Sequence, residues 1–189
     1  MIHQVLPVVV AELNEYLKSQ FNAIEDIVVL SNIIDQDGSL AFEGNNKIVV
    51  TVVSIDRETA AKNTSPAQFA GHQYVEFAPP VHVNLTILFA AMFNKKHYVE
   101  SLKYISGVIY FFQNKFLFTP QNSQQLGKNV DRLHFDLISI PPQELMNYYS
   151  ILGAKYMPSV VYKMKMLTFT QENILHDLPV ITSGDIKTQ

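Results

Sequence analysis

A chain of 189 residues has the length of one domain, and at that size about 70% of the unfolded surface can be buried. Its net charge is −3, with 14 Lys and Arg scattered along it, so it lacks the basic face on which nucleic-acid binding depends. It has no Cys, which excludes disulfides and thiolate metal sites and suits assembly in the cytosol.

Ile2, Leu6, Val9, Leu13 and Leu17 follow helical spacing, with Glu12, Glu15 and Lys18 on the wet side. A first helix is therefore expected from about Ile2 to Phe21, with Pro7 tolerable near its first turns. The apolar run 5–10 has no Lys or Arg before it and is interrupted by Pro7, unlike a targeting signal. Residues 27–34 form a short β-branched run that ends at Asp35-Gln36-Asp37-Gly38, a turn signal. That turn resembles the start of a calcium loop but lacks the third ligand before its Gly, and Asn46 stands where the bidentate Glu belongs. Residues 47–55 are the strongest strand, apolar on both faces, and are expected centrally in a covered sheet.

Residues 57–80 form the longest stretch without periodicity, and long loops of this kind tend to be functional or mobile. Phe69, Tyr74 and Phe77 lie within it, either on a contact surface or folded into the core. Val81, Val83, Leu85 and Ile87 then alternate with His82, Asn84 and Thr86, the signature of a strand with one buried face. A small-residue turn at Ala90 and Ala91 leads into a helix whose stripe is Tyr98, Leu102, Ile105, Ile109 and Phe112, thickened by Val108 and Phe111. A polar connector, 114–131, precedes a strand with Leu133, Phe135 and Leu137 inward and His134 and Asp136 outward.

Pro141-Pro142 starts a short helix with the stripe Leu145, Tyr148, Tyr149 and Leu152, and Gly153 suits its C-terminal cap. The last expected strand is 160–169, where Tyr162, Met164 and Met166 alternate with Lys163 and Lys165. From Gln171 on, Ile174, Leu175, Leu178 and Ile181 are mixed with polar residues and show no period. The fold class is thus α+β: a single mixed or antiparallel sheet of about five strands with three helices packed on it, over residues 1–170, and a tail, 171–189.

No catalytic constellation emerges. The six His show no paired spacing for one helix face, and His82 and His134 on the polar sides of two strands are short of the three or four ligands a tight site needs. No Gly pattern cradles a phosphate, and Ser159 follows a Pro rather than sitting on an elbow. No enzyme, metal or cofactor is expected. The longest apolar-dominated run, 85–93, is far below the ~20 residues a membrane span needs, so a soluble protein is expected. Only 16% of residues are charged, while nine are Tyr and twelve Phe, which fits either a well-filled core or buried subunit contacts.

Four segments read together resemble one family: 46–58 (NKIVVTVVSIDRE), 79–85 (PPVHVNL), 98–102 through 111–113 (YVESL and FFQ), and 152–163 (LGAKYMPSVVYK). Their order and spacing are similar to the tail-cap, or tail-terminator, proteins of phage-tail-like contractile injection systems. The most specific piece is Gly153-x-Lys155-Tyr156-x-Pro158-Ser159. Family members often have Trp where Tyr149 stands here, and some carry a further C-terminal domain whose role is not carried over. The resemblance implies a structural cap, a homohexameric ring seated on the last layer of inner-tube and sheath protein. It also implies cytoplasmic assembly of a particle that is then released or anchored at the cell envelope. Assembly contacts are expected at Phe69, Tyr74, Phe77, Lys163, Lys165, Ile174, Leu175, Leu178 and Ile181, with the tail or the edge of the last strand donated to sheath by β-augmentation. A disordered tail is the alternative. A small ligand-binding or regulatory α+β domain with a Tyr/Phe-rich pocket is the other reading.

Overall fold

The computed structural model describes residues 1–59, 67–70, 73–77, 80–127, 130–169 and 174–178, and for 67–70, 73–77 and 174–178 it describes the backbone path and strand pairing. In chain order the elements are α1 (Ile2–Phe21), β1 (Val28–Leu30), β2 (Lys47–Arg57), β3 (Ala67–Ala70), β4 (Gln73–Phe77) and β5 (Val81–Met92). A 3-10 turn at Lys95–His97 leads to α2 (Tyr98–Asn114), β6 (Leu117–Phe118), β7 (Leu133–Leu137), α3 (Pro142–Ile151), β8 (Ser159–Phe169) and β9 (Ile174–Leu178). Six strands form the main sheet in the order β1-β2-β5-β8-β7-β6, with β1 parallel to β2 and every other pair antiparallel.

Period-two alternation sorts this sheet's side chains onto two covered faces. Ile48, Val50, Leu85, Ile87, Phe89, Phe135, Tyr162 and Met164 lie under α1 and α2, packed with Leu13, Leu17, Val108 and Phe112. Val49, Leu88, Ala90 and Val161 face the opposite way and cluster with Ile33 and Tyr149 of α3. Aromatic rings fill the first core: Phe112 lies 4.7 Å from Phe135, 4.5 Å from Tyr162 and 5.3 Å from Phe89, centroid to centroid.

Two polar or small residues set how α1 docks. Asn14 is buried and acts in place of a neighbouring strand for the edge strand β1. Its Nδ2 donates to the Val28 carbonyl at 2.9 Å, and its Oδ1 accepts from the Ile27 and Val28 amides at 2.9 and 2.8 Å. Gly107 of α2 sits where a Cβ would meet Leu17 Cδ2 at 2.6 Å and Phe21 Cε2 at 2.7 Å, so the two helices approach closely only because that side chain is missing. On the other face the Tyr149 hydroxyl donates to the Met157 carbonyl at 2.9 Å, and Gly153 takes φ +65° just past α3. These contacts hold the 153–159 segment on the body of the sheet.

Several expectations need correction. The main sheet has six strands rather than about five, because β6 forms within the polar connector. Ala90 and Ala91 are strand residues paired to Val49 and Ile48, not a turn, since small side chains let the sheet lie close under its neighbours. The buried stripe of α2 is Ser101, Tyr104, Ile105, Val108, Phe111 and Phe112, while Tyr98 and Leu102 remain 55% and 43% exposed. The helix is rotated so that Gly107 faces α1. Leu137, read as inward, is 54% exposed at the end of β7.

The stretch 57–80 is not an aperiodic loop among its described residues. It holds the antiparallel pair β3 and β4, and β9 from the tail joins β4 on its other side, giving a second sheet in the order β3-β4-β9. Phe77 pairs with Ile174, and Val81 pairs with Phe169 a few residues further along the same two segments. The β4–β9 ladder therefore continues the β5–β8 ladder past the end of the main sheet. β3 lies beside β4 on the side that β2 occupies beside β5. The three central columns of the sheet, β2, β5 and β8, are in this way prolonged as a three-stranded arm.

Candidate functional site

The arm gathers most of the candidate contact residues into one element. Phe69, Tyr74 and Leu178 occupy a single cross-strand row, through the pairs Phe69–Tyr74 and Tyr74–Leu178. Phe77 and Ile174 are paired at its base, where the register shifts between Glu76 and Phe77, and Leu175 falls within that shift. Ile181 lies outside the described residues. The stretch 57–80 and the tail, two separate candidate surfaces in the sequence, thus share one sheet.

Lys163 and Lys165 lie elsewhere, on the α3-side face of the main sheet. Lys165 Nζ bonds Asp136 Oδ2, whose other carboxylate oxygen is 3.1 Å from His134 Nδ1. Lys163 stands between Asp136 of β7 and Thr86 of β5 in the register. On the same face the His82 ring bonds the Thr168 hydroxyl at 2.9 Å, and Asn84 Nδ2 donates to Glu58 Oε2 at 2.8 Å. His82 and His134 are engaged with separate partners, and among the described residues no three metal-capable side chains converge. Among the described residues, the groups whose proton affinity moves most are tyrosines. Burial pushes Tyr162 up to about 12, and burial together with a hydrogen bond to Glu144 does the same for Tyr148. Such shifts express packing, since each phenol is held neutral by its surroundings.

The surface also carries apolar side chains that periodicity alone did not isolate. Ile55 is 58% exposed and Val81 is also exposed, and both lie at the arm's base on the α1/α2 side. Val99, Leu102 and Tyr110 form an exposed stripe on α2, beside Tyr98. A groove of about 510 Å³ opens where β1 stops, between Ile2, His3 and Leu6 of α1 and Leu30, Thr51 and Val52. There Ser31 donates its amide to the Val50 carbonyl, and its own carbonyl accepts from the Thr51 hydroxyl, just past the end of the β1–β2 pairing. A scan for apolar residues left outside every stripe would have found Val99, Ile55 and Tyr110. No helix among the described residues is long and apolar enough to cross a membrane.

Comparison with known proteins then adds three findings. Residues 4–183 match the model of the family described as Pvc16 N-terminal domain. The fold is similar to that of the sheath/tube terminator of PVC, an extracellular contractile injection system, in its extended state. The TM-score is 0.67 at 11% identity, over 100% of this chain and 63% of that one. It is similar also to the anti-feeding prophage cap, the AFP tube-terminating cap, with TM-score 0.59 and 12% identity over 95% of this chain and 60% of that chain. The chain therefore spans less than two thirds of the length of either solved relative. No curated protein matches it in sequence.

Proposed function

The chain belongs to the Pvc16 N-terminal domain family, and from that premise we propose that it is the cap of a contractile injection system: a six-fold ring on the last layer of inner tube and sheath that ends their polymerisation. The observation that carries this reading is the fold, which follows a sheath/tube terminator over the full length of the chain. Physically, a terminator needs one face that copies a growing ring's docking surface and another that offers no such surface. A ring closes when copies meet through unlike, head-to-tail patches. The arm, with Phe69, Tyr74, Phe77, Ile174, Leu175 and Leu178, and the Lys163/Lys165 face are the proposed assembly surfaces, the tail contributing Ile174–Leu178 to the arm. Inner-tube and sheath proteins are the proposed partners, and the role involves no bond-making step. The particle assembles in the cytoplasm before release or anchoring.

Electron microscopy of particles carrying a labelled copy of this chain tests the reading. Label confined to one end of each particle is the expected result. Label along the shaft, or at the baseplate, would refute a terminator.

A further inference from the structure

The arm leaves two strand edges without a neighbour among the described residues. β3 is the outer strand on one side and β9 the outer strand on the other. The side that β3 occupies continues below the arm as the outer side of β2, which pairs with β1 only from Ile48 to Val50. Unpaired backbone N–H and C=O groups along a strand are a template for another strand, and natural proteins leave long open edges only where something covers them. The exposed Ile55 lies on β2, and the groove lined by Ile2, Leu6, Leu30 and Val52 opens beside that strand.

We propose that these edges belong to each other in different copies, the β9 edge of one subunit pairing with the β3 edge of the next and closing the ring through a continuous sheet. This rests on the cap reading, and it names the contact that makes the ring. Direction and height support the match. β3 and β9 are both antiparallel to β4, so they run the same way. The register sets Ala67 level with His176 through Glu76, and Gln68 level with Asp177 through Val75. With the arm directed along the ring axis, a rotation without rise carries one copy's β9 beside the next copy's β3 at equal height and in parallel sense. Both arm edges are used once per copy, so the contact is heterologous and leaves neither edge of the arm open in a closed ring. A two-fold dimer would instead pair β9 with β9 in antiparallel sense, and strand donation to sheath would leave the β3 edge uncovered.

The absence of Cys makes the test clean. The double variant Gln68→Cys/Asp177→Cys is oxidised both as purified chain and in particles. Within one chain the two positions are two strand spacings apart, about 9.5 Å, beyond the ~7 Å that a disulfide spans, so any cross-link joins different copies. The expected result is a ladder from dimer to closed ring, while each single variant stays at monomer mass. Ala67→Cys/His176→Cys, one row along, covers a register slip or a misfolded first pair. Homodimers of Asp177→Cys alone, or a cross-link to sheath or tube protein, would overturn the pairing. So would no cross-link from either pair in particles that carry the chain at their ends, a result that leaves the cap reading intact. Particles without the chain at their ends would refute the cap reading, and the pairing is then decided by the ladder of the purified chain.

Discussion

Replacing Asn14 by Leu tests how the first helix is tied to the sheet. The native amide makes three hydrogen bonds to Ile27 and Val28 of the edge segment, at 2.9, 2.9 and 2.8 Å, and both Asn14 and Val28 are buried. At about 0.5–1.5 kcal/mol net for each bond, their loss costs roughly 1.5–4.5 kcal/mol. Leu fills a similar volume but leaves the Val28 N–H and C=O without partners, and a buried orphan group costs about 1–3 kcal/mol by itself, which places the result in the upper half of that range. The better helix propensity of Leu returns roughly 0.5 kcal/mol. The expected net loss is therefore about 2.5–4 kcal/mol, read as a lower urea midpoint with little change in slope. Hydrogen exchange at the Val28 amide should accelerate alongside. A loss under about 1 kcal/mol with that amide still protected would refute the claim that Asn14 substitutes for a strand.

Two further perturbations probe the same packing. Gly107→Leu forces side-chain atoms into Leu17 and Phe21 and should destabilise by more than about 2 kcal/mol, whereas Gly107→Ala should cost less because its helix propensity offsets part of the clash; comparing the two melting temperatures checks this. Tyr162, raised to about 12 by burial, stays neutral in the folded state while the unfolded chain ionises from about pH 10. Its contribution is therefore complete below pH 10 and is lost as pH rises toward 12, a fall of about 2–3 kcal/mol that Tyr162→Phe should abolish in alkaline unfolding curves.

The parts of the fold that could be read from sequence are those where burial repeats with one period. α1 matches its expected bounds because Leu6, Val9, Leu13 and Leu17 recur on one face and are all buried. The turn of α2 was legible only in part. Its orientation is set by Gly107, which carries no hydrophobic signal, and by Tyr104, whose ring packs 5.2 Å from Phe21 and 5.6 Å from Phe93. The arm was illegible for a different reason. Its strands are short, its hairpin mixes Ala and Gln with single aromatics, and a register shift at Phe77 and Ile174 breaks the alternation of the tail. Gly71, between the two runs, was the available hairpin signal. Long-range pairing between residue 77 and residue 174 has no local trace, so the juxtaposition of the two candidate surfaces had to come from the structure.

The central claim concerns how a cylinder stops growing, and particle length reports on it most directly. Particles assembled in cells lacking this chain should show tubes of widely scattered length with frayed or sheath-free distal ends, and supplying the chain in trans should restore a single narrow length class. Unchanged lengths and finished distal ends in its absence would contradict a terminating cap.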